Sequence, residues 1–281
     1  MSIEFIENIY AKKLICIYDI MTSKDMFILS NRYPKLFNNN FNIIKDEIFN
    51  NSQKGEAIQE TITRILINLV IDNKLPDRLA DKLDQANFIE FDEENNKSAM
   101  KIIMENYDNK KDDIEYYFKN VFGFNIPKIK IILYVVNSFQ GSKGCSIPLN
   151  AKEIALVGYI VNKNDLINKK EDMLLIILHE VLHSLINSNN IINNKALNFR
   201  MFEEALLDYF LPNGILAPKL INNKEKDVNI YHKENVSFRP TSYDMSRRLL
   251  PVIEEYKNKK PFGVETIWEF LKKSEFKEYL T

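Results

Sequence analysis

Apolar positions recur along this chain with two different periods, and the changeover falls near Gly123. Before it, the spacing is helical. Residues 56–71, EAIQETITRILINLVI, place Ile58, Ile62, Ile65, Leu66 and Leu69 three or four residues apart, the repeat of a single helix face. Residues 97–118 keep that character around a polar break at 107–112, which predicts helix on either side of the break. Asn38-Asn39-Asn40 and Leu75-Pro76-Asp77 read as loops or helix starts. Beyond Gly123 the pattern changes. Residues 129–136 (IKIILYVV) and 154–161 (IALVGYIV) are rich in β-branched and aromatic side chains and predict two strands. Between them, residues 140–150 hold Gly141, Gly144 and Pro148 and read as a loop.

Helical character then returns. Residues 173–187, MLLIILHEVLHSLIN, are apolar on every side, the mark of a buried helix. Residues 201–210, MFEEALLDYF, predict a second, mostly apolar helix, and 245–256 and 265–271 predict two more. The expected fold class is therefore α+β and mostly helical. A helical N-terminal region spans 1–122, and a unit with a small mixed sheet spans 123–281.

Composition narrows this only slightly. A chain of 281 residues can bury a sizeable core in one large domain or two small ones. Seven glycines favour helices over a turn-rich all-β fold. A formal net charge of −1 gives no general attraction to nucleic acid or to anionic membranes. Cys16 and Cys145 are widely separated, which argues for a reducing compartment over a disulfide. The N-terminus carries Glu4 and Glu7, its apolar run at 14–18 is too short for a secretory signal, and no run approaches the length of a membrane span. The expectation is a cytoplasmic protein with neither a nucleic-acid nor a membrane partner.

The candidate chemistry sits in the apolar helix. The chain has three histidines, and two of them, His179 and His183, flank Glu180 in the run His179-Glu180-Val181-Leu182-His183. Positions four apart share a helix face, so both imidazoles can bind one metal ion, with Glu180 beside it to act on a water. Burying these three polar groups unpartnered would cost on the order of several kcal/mol, and a metal ion removes that conflict. The plainer alternative, two solvated histidines on a surface helix, finds little polar face on this helix to occupy.

A catalytic zinc site takes three protein ligands and keeps one position open. The third is sought downstream, where Glu203 and Glu204 stand 20 and 21 residues beyond His183 (203 − 183 and 204 − 183). Glu204 and Asp208 are four apart and share a face, while Glu203 points roughly 100° away. Glu204 is the preferred ligand and Glu203 the alternative. Asp208 is expected to accept the free N–H of a zinc-bound histidine.

At this point the chain resembles the gluzincins, metallopeptidases whose third zinc ligand is a glutamate on the helix after H-E-x-x-H. Their second helix often reads Glu-Gly-Leu-Ala-Glu-Tyr, and here the run is Glu204-Ala205-Leu206-Leu207-Asp208-Tyr209. A third block, Tyr243-Asp244-Met245-Ser246-Arg247-Arg248-Leu249-Leu250, is similar to the Tyr-x-x-Gly-x-x-Leu-Leu helix of aminopeptidase N-like gluzincins, with Ser246 in place of glycine. The Gly-x-Met-Glu-Asn segment that holds a substrate's free amine in those aminopeptidases is missing. The resemblance, from about residue 124 to the C-terminus, implies a compact, zincin-like catalytic domain of the peptidase MA-like kind.

It implies one zinc ion per chain on His179, His183 and Glu204, a peptide or protein substrate, and Glu180 as general base. Tyr243 is the first choice for oxyanion donor. His232 is the alternative, with Tyr231 and Arg239 near it in sequence. In zincins an edge strand also pairs with the extended substrate. Cys145 reads as a small structural residue, although a thiol near the cleft could inhibit by binding zinc. The competing reading, from another class, is a non-catalytic zincin-fold protein kept for binding or regulation.

Overall fold

The computed structural model describes residues 2–22, 33, 40–86, 92–136, 141–149, 152–221, 240–259 and 262–281. The chain opens with a short strand, β1 (Ile3–Phe5), followed by helices α1 (Ile9–Thr22), α2 (Asn40–Asn50), α3 (Ile58–Asp72), α4 (Asp77–Gln85) and α5 (Glu93–Phe122). Three strands come next, β2 (Lys128–Val136), β3 (Lys143–Ile147) and β4 (Ile154–Asn162). The rest is helical: α6 (Lys163–Asn168), α7 (Asp172–Ser188), α8 (Phe199–Asp208), α9 (Ala217–Leu220), α10 (Pro240–Asn258), α11 (Ile267–Leu271) and a final 3₁₀ turn, Glu275–Tyr279. The protein is thus mostly helical with a small mixed sheet. No helix among the described residues is long and apolar enough to cross a membrane.

The sheet runs β1-β2-β4-β3. The first three strands are mutually parallel, and β3 joins β4 antiparallel, with Cys145 opposite Gly158. Both faces of the two central strands are buried, as in sheets covered by helices on both sides. Ile129, Ile131, Leu133 and Val135 of β2 face one helical layer with Ala155, Val157, Tyr159 and Val161 of β4. That layer contains α5, α7, α8, α10 and α11. Ile132, Tyr134, Val136, Leu156 and Ile160 face the other layer, built from α1 to α4. The 122/123 boundary coincides with the end of α5, yet segments before it complete the sheet and cover its second face.

Two sequence expectations change here. The polar stretch 107–112 does not interrupt the helix, because α5 is continuous over 30 residues. Ile103, Tyr107, Ile114 and Phe118 are all buried on one side. The charged residues between them occupy the solvent side of the same helix, and Asp92 caps its start by accepting the Asn95 N–H at 3.1 Å. Residues 140–150 are not simply a loop. The pairing of Lys143–Ile147 with β4 makes a strand there despite the local glycine content, since ladder hydrogen bonds outweigh weak strand propensity.

Candidate metal centre and its cleft

α7 carries the H-E-x-x-H run and buries most of its surface, including Leu174, Leu175, Ile177, Leu178, Val181 and Leu182. At about 1.5–3 kcal/mol for each fully buried aliphatic side chain, this packing anchors the helix firmly. After α7, Asn190 adopts a left-handed conformation (φ 51°), and the Ile191 N–H returns to the Ile186 carbonyl at 3.1 Å. This closes the helix and turns the chain back toward α8.

His179 and His183 face each other from successive turns of α7, with Nε2 atoms 3.1 Å apart. Glu204, on α8, brings its carboxylate to 3.9 Å from His179 Nε2 and 3.7 Å from His183 Nε2. The three candidate ligand atoms lie within 4.8 Å of one another. In a tetrahedral zinc site with bonds near 2.05 Å, ligand atoms are separated by about 3.3 Å. The Nε2–Nε2 separation is close to that value, and the two Glu204 distances, which run to different oxygens of its carboxylate, are longer.

The remaining ring nitrogens explain how the imidazoles are oriented. His179 Nδ1 donates to the Leu211 carbonyl at 2.8 Å, and His183 Nδ1 donates to Glu203 Oε1 at 2.6 Å. Both partners are acceptors, so the proton of each neutral ring belongs on Nδ1, and each Nε2 presents a lone pair. Two such lone pairs and a carboxylate converging on one point call for a cation. The donor set therefore fits zinc. Burial opposes a positive His183, but Glu203 and Glu204 together hold its pKa well above the usual imidazole value. The same acidic groups thus favour a second proton on His183, which a cation bound at Nε2 would displace. Burial raises the Glu204 carboxyl, and the two histidines outweigh that and hold it well below the usual range.

The adjacent glutamates thus divide the work by the 100° that separates neighbours on a helix. Glu204 faces the point of convergence, and Glu203 braces His183 from behind. Asp208 lies 3.9 Å from His179 Nδ1, so it flanks this histidine while the Leu211 carbonyl takes the hydrogen bond. The Leu211 carbonyl is set by a turn after α8 in which the Ile215 N–H returns to the Tyr209 carbonyl at 2.9 Å. That turn needs Gly214, since a Cβ there would lie 2.0 Å from the Tyr209 oxygen.

Glu180 lines the same cleft as the three candidate ligands. Burial raises its pKa above the usual carboxylate value, with the histidines and the Ser146 backbone N–H pulling it back down. β3 comes so close that a Cβ on Gly144 would lie 2.6 Å from Glu180 Cγ and 2.9 Å from its Oε1. The Ser146 and Ser184 hydroxyls, 2.7 Å apart, fasten β3 to α7 one turn further on. β3 is also the edge of the sheet. An edge strand therefore borders a cleft of about 900 Å³ that holds His179, Glu180, His183 and Glu204.

One expected residue stands apart from this group. Tyr243 is half-buried on α10 under the guanidinium of Arg247, 5.8 Å from the ring centre, and does not line the cleft. Ser246, in the same block, is fully buried. Its hydroxyl donates to the Tyr209 hydroxyl at 3.0 Å, which ties α10 to the end of α8. His232, with Tyr231 and Arg239, lies outside the described residues. Conversely, Tyr18 and Arg200 line the cleft without having been expected there. The signal for Arg200 was present in its position four residues before Glu204. Tyr18 carried none, because its place depends on how α1 packs against the sheet.

Comparisons with family models, with curated proteins and with solved structures each return no match.

Proposed function

We propose that this chain is a zinc-dependent peptidase with a zincin-like core, in which His179, His183 and Glu204 hold one zinc ion. The observation that carries this reading is the convergence of His179 Nε2, His183 Nε2 and the Glu204 carboxylate beside Glu180, in a cleft bordered by an edge strand. Zinc held there supplies Lewis acidity to a scissile carbonyl and makes water acidic near neutrality. Glu180 takes the proton from the attacking water and passes it to the departing amine, a task suited to a carboxylate of raised pKa. Glu203 and the Leu211 carbonyl keep both imidazoles turned inward. β3 offers its outer edge to an extended peptide.

Elemental analysis of protein purified without added metal tests the first half, with about one zinc per chain expected. A content near zero that added zinc does not restore sinks the reading. A peptide-library digest followed by mass spectrometry tests the second half, with Glu180→Gln as control. Cleavage by wild type that is lost in Glu180→Gln with zinc retained is expected, and identical cleavage patterns assign the activity to a contaminant. Bound zinc with no cleavage favours the non-catalytic zincin-fold reading.

A further inference from the structure

The cleft extends beside α7 from Asp172 and Met173 in the first turn to Asn187 in the last. Fifteen helical steps separate Asp172 from Asn187 (187 − 172 = 15). That is about 22 Å at the rise of an α-helix, room for about seven residues of extended peptide. The cations along it are not equivalent. Lys143 is paired with Asp19 at 2.7 Å, and Lys169 with Asp165 at 3.1 Å. Arg200 also lines the cleft and has no carboxylate partner among the described residues.

Arg200 is nonetheless held in place. Its guanidinium lies 5.8 Å from the centre of the Phe199 ring, a contact that narrows its sweep. Tyr18 lines the same cleft; burial raises its phenol pKa, and the charge of Arg200 works against the rise. Asn187 and Asn194 add two side-chain amides to the cleft lining. Arg200 precedes Glu204 by four residues, so the two share a face of α8 and enter the same cleft. A planar guanidinium with no carboxylate partner among the described residues, in a cleft also lined by a phenol and side-chain amides, is a set of donors matched to a carboxylate.

We propose that Arg200, in the cleft that Tyr18 also lines, binds a carboxylate of the substrate. The cleft then selects peptides carrying an acidic side chain or a free C-terminus about two or three residues from the scissile bond, the span set by one helical turn plus the reach of the arginine. The position relative to the scissile bond rests on the peptidase reading, whereas the carboxylate preference itself is a property of binding.

The test is fluorescence anisotropy with short labelled peptides on the zinc-loaded Glu180→Gln protein, which separates binding from turnover. Each peptide is compared with its Glu→Gln partner and with its C-terminal amide. Tighter binding of the Glu form assigns a side-chain carboxylate, and tighter binding of the free acid over the amide assigns the C-terminus. Adding Arg200→Gln is expected to weaken the preferred peptide on the order of tenfold to a hundredfold and leave its uncharged partner unchanged. Arg200→Lys is expected to restore part of the preference. Equal affinity for charged and uncharged partners, or an unchanged preference in Arg200→Gln, overturns the proposal. Binding with the predicted preference but no cleavage by wild type overturns only the peptidase reading. Cleavage without any carboxylate preference overturns only this one. Absence of peptide binding overturns this proposal, and the peptidase reading then stands or falls on the cleavage test.

Discussion

Glu203 Oε1 lies 2.6 Å from Nδ1 of His183, while the carboxylate of the next residue, Glu204, stands 3.7 Å from Nε2 of the same ring. One imidazole is held from both sides by consecutive residues of one helix. Glu204→Gln is expected to lose most zinc affinity, because a candidate ligand is lost. Glu203→Ala is expected to weaken zinc by about tenfold to a hundredfold, the usual effect of removing a group that orients a ligand. Competition with a chromophoric chelator measures both. If Glu203→Ala has the larger effect, the two roles are exchanged.

Gly144 tests how closely β3 must approach Glu180. In Gly144→Val the new Cβ would meet Glu180 Cγ at 2.6 Å and Ile176 Cγ2 at 3.0 Å. The carboxylate has to move, and a displacement of about 1 Å costs roughly a hundredfold in rate. Turnover of a confirmed peptide substrate should fall by about that factor while zinc content stays at the wild-type level. Loss of zinc along with activity would show that the variant damages the centre more widely.

Tyr243 would have to leave its contact with Arg247 to reach the cleft. Tyr243→Phe is therefore expected to keep turnover within about twofold of wild type, against the roughly hundredfold loss that removal of an oxyanion donor brings. A hundredfold loss with zinc retained would restore the role implied by the gluzincin resemblance.

Cys145 is half-buried where it lines the cleft, and desolvation there, with the Glu180 carboxylate, pushes its thiol up to about 12. The thiolate fraction at pH 8 is then on the order of 10⁻⁴, and the thiolate is the form that alkylates and that binds zinc. Because the shift is upward, reactivity appears only as the pH approaches that value. Iodoacetamide at pH 8 should leave Cys145 unmodified in the folded protein and modify both Cys145 and Cys16 after denaturation, read by mass spectrometry. Rapid labelling of the folded protein would contradict the burial argument.

Asp19 of α1 is 2% exposed and accepts Lys143 of β3 at 2.7 Å and the Tyr33 hydroxyl at 3.0 Å. The N-terminal region thereby holds the strand that borders the cleft. Asp19→Ala is expected to destabilise the protein by about 1–2 kcal/mol, discounted from a fully buried pair because the Lys143 side chain is 40% exposed. The corresponding fall in Tm is about 3–6 °C. An unchanged Tm in differential scanning fluorimetry would detach α1 from the stability of β3.

Several features were legible in the sequence because their causes are local. The facing of His179 and His183 follows from helical spacing alone, and the apolar surroundings of that helix already implied its burial. The strands at 129–136 and 154–161 announced themselves through β-branched runs that match β2 and β4 closely. Glu204 could be preferred over Glu203 because Asp208 lies one turn on. Tertiary structure decided what depends on distant partners. β3 exists because β4 pairs with it, and α5 runs unbroken because its polar stretch has a solvent side to occupy. Glu203 braces His183, and a carbonyl beyond α8 braces His179, because of how the two helices cross. A pattern of side chains specifies which face of an element is buried. The contacts that face makes, and therefore which polar groups gather in the cleft, are set by packing between segments far apart in the chain.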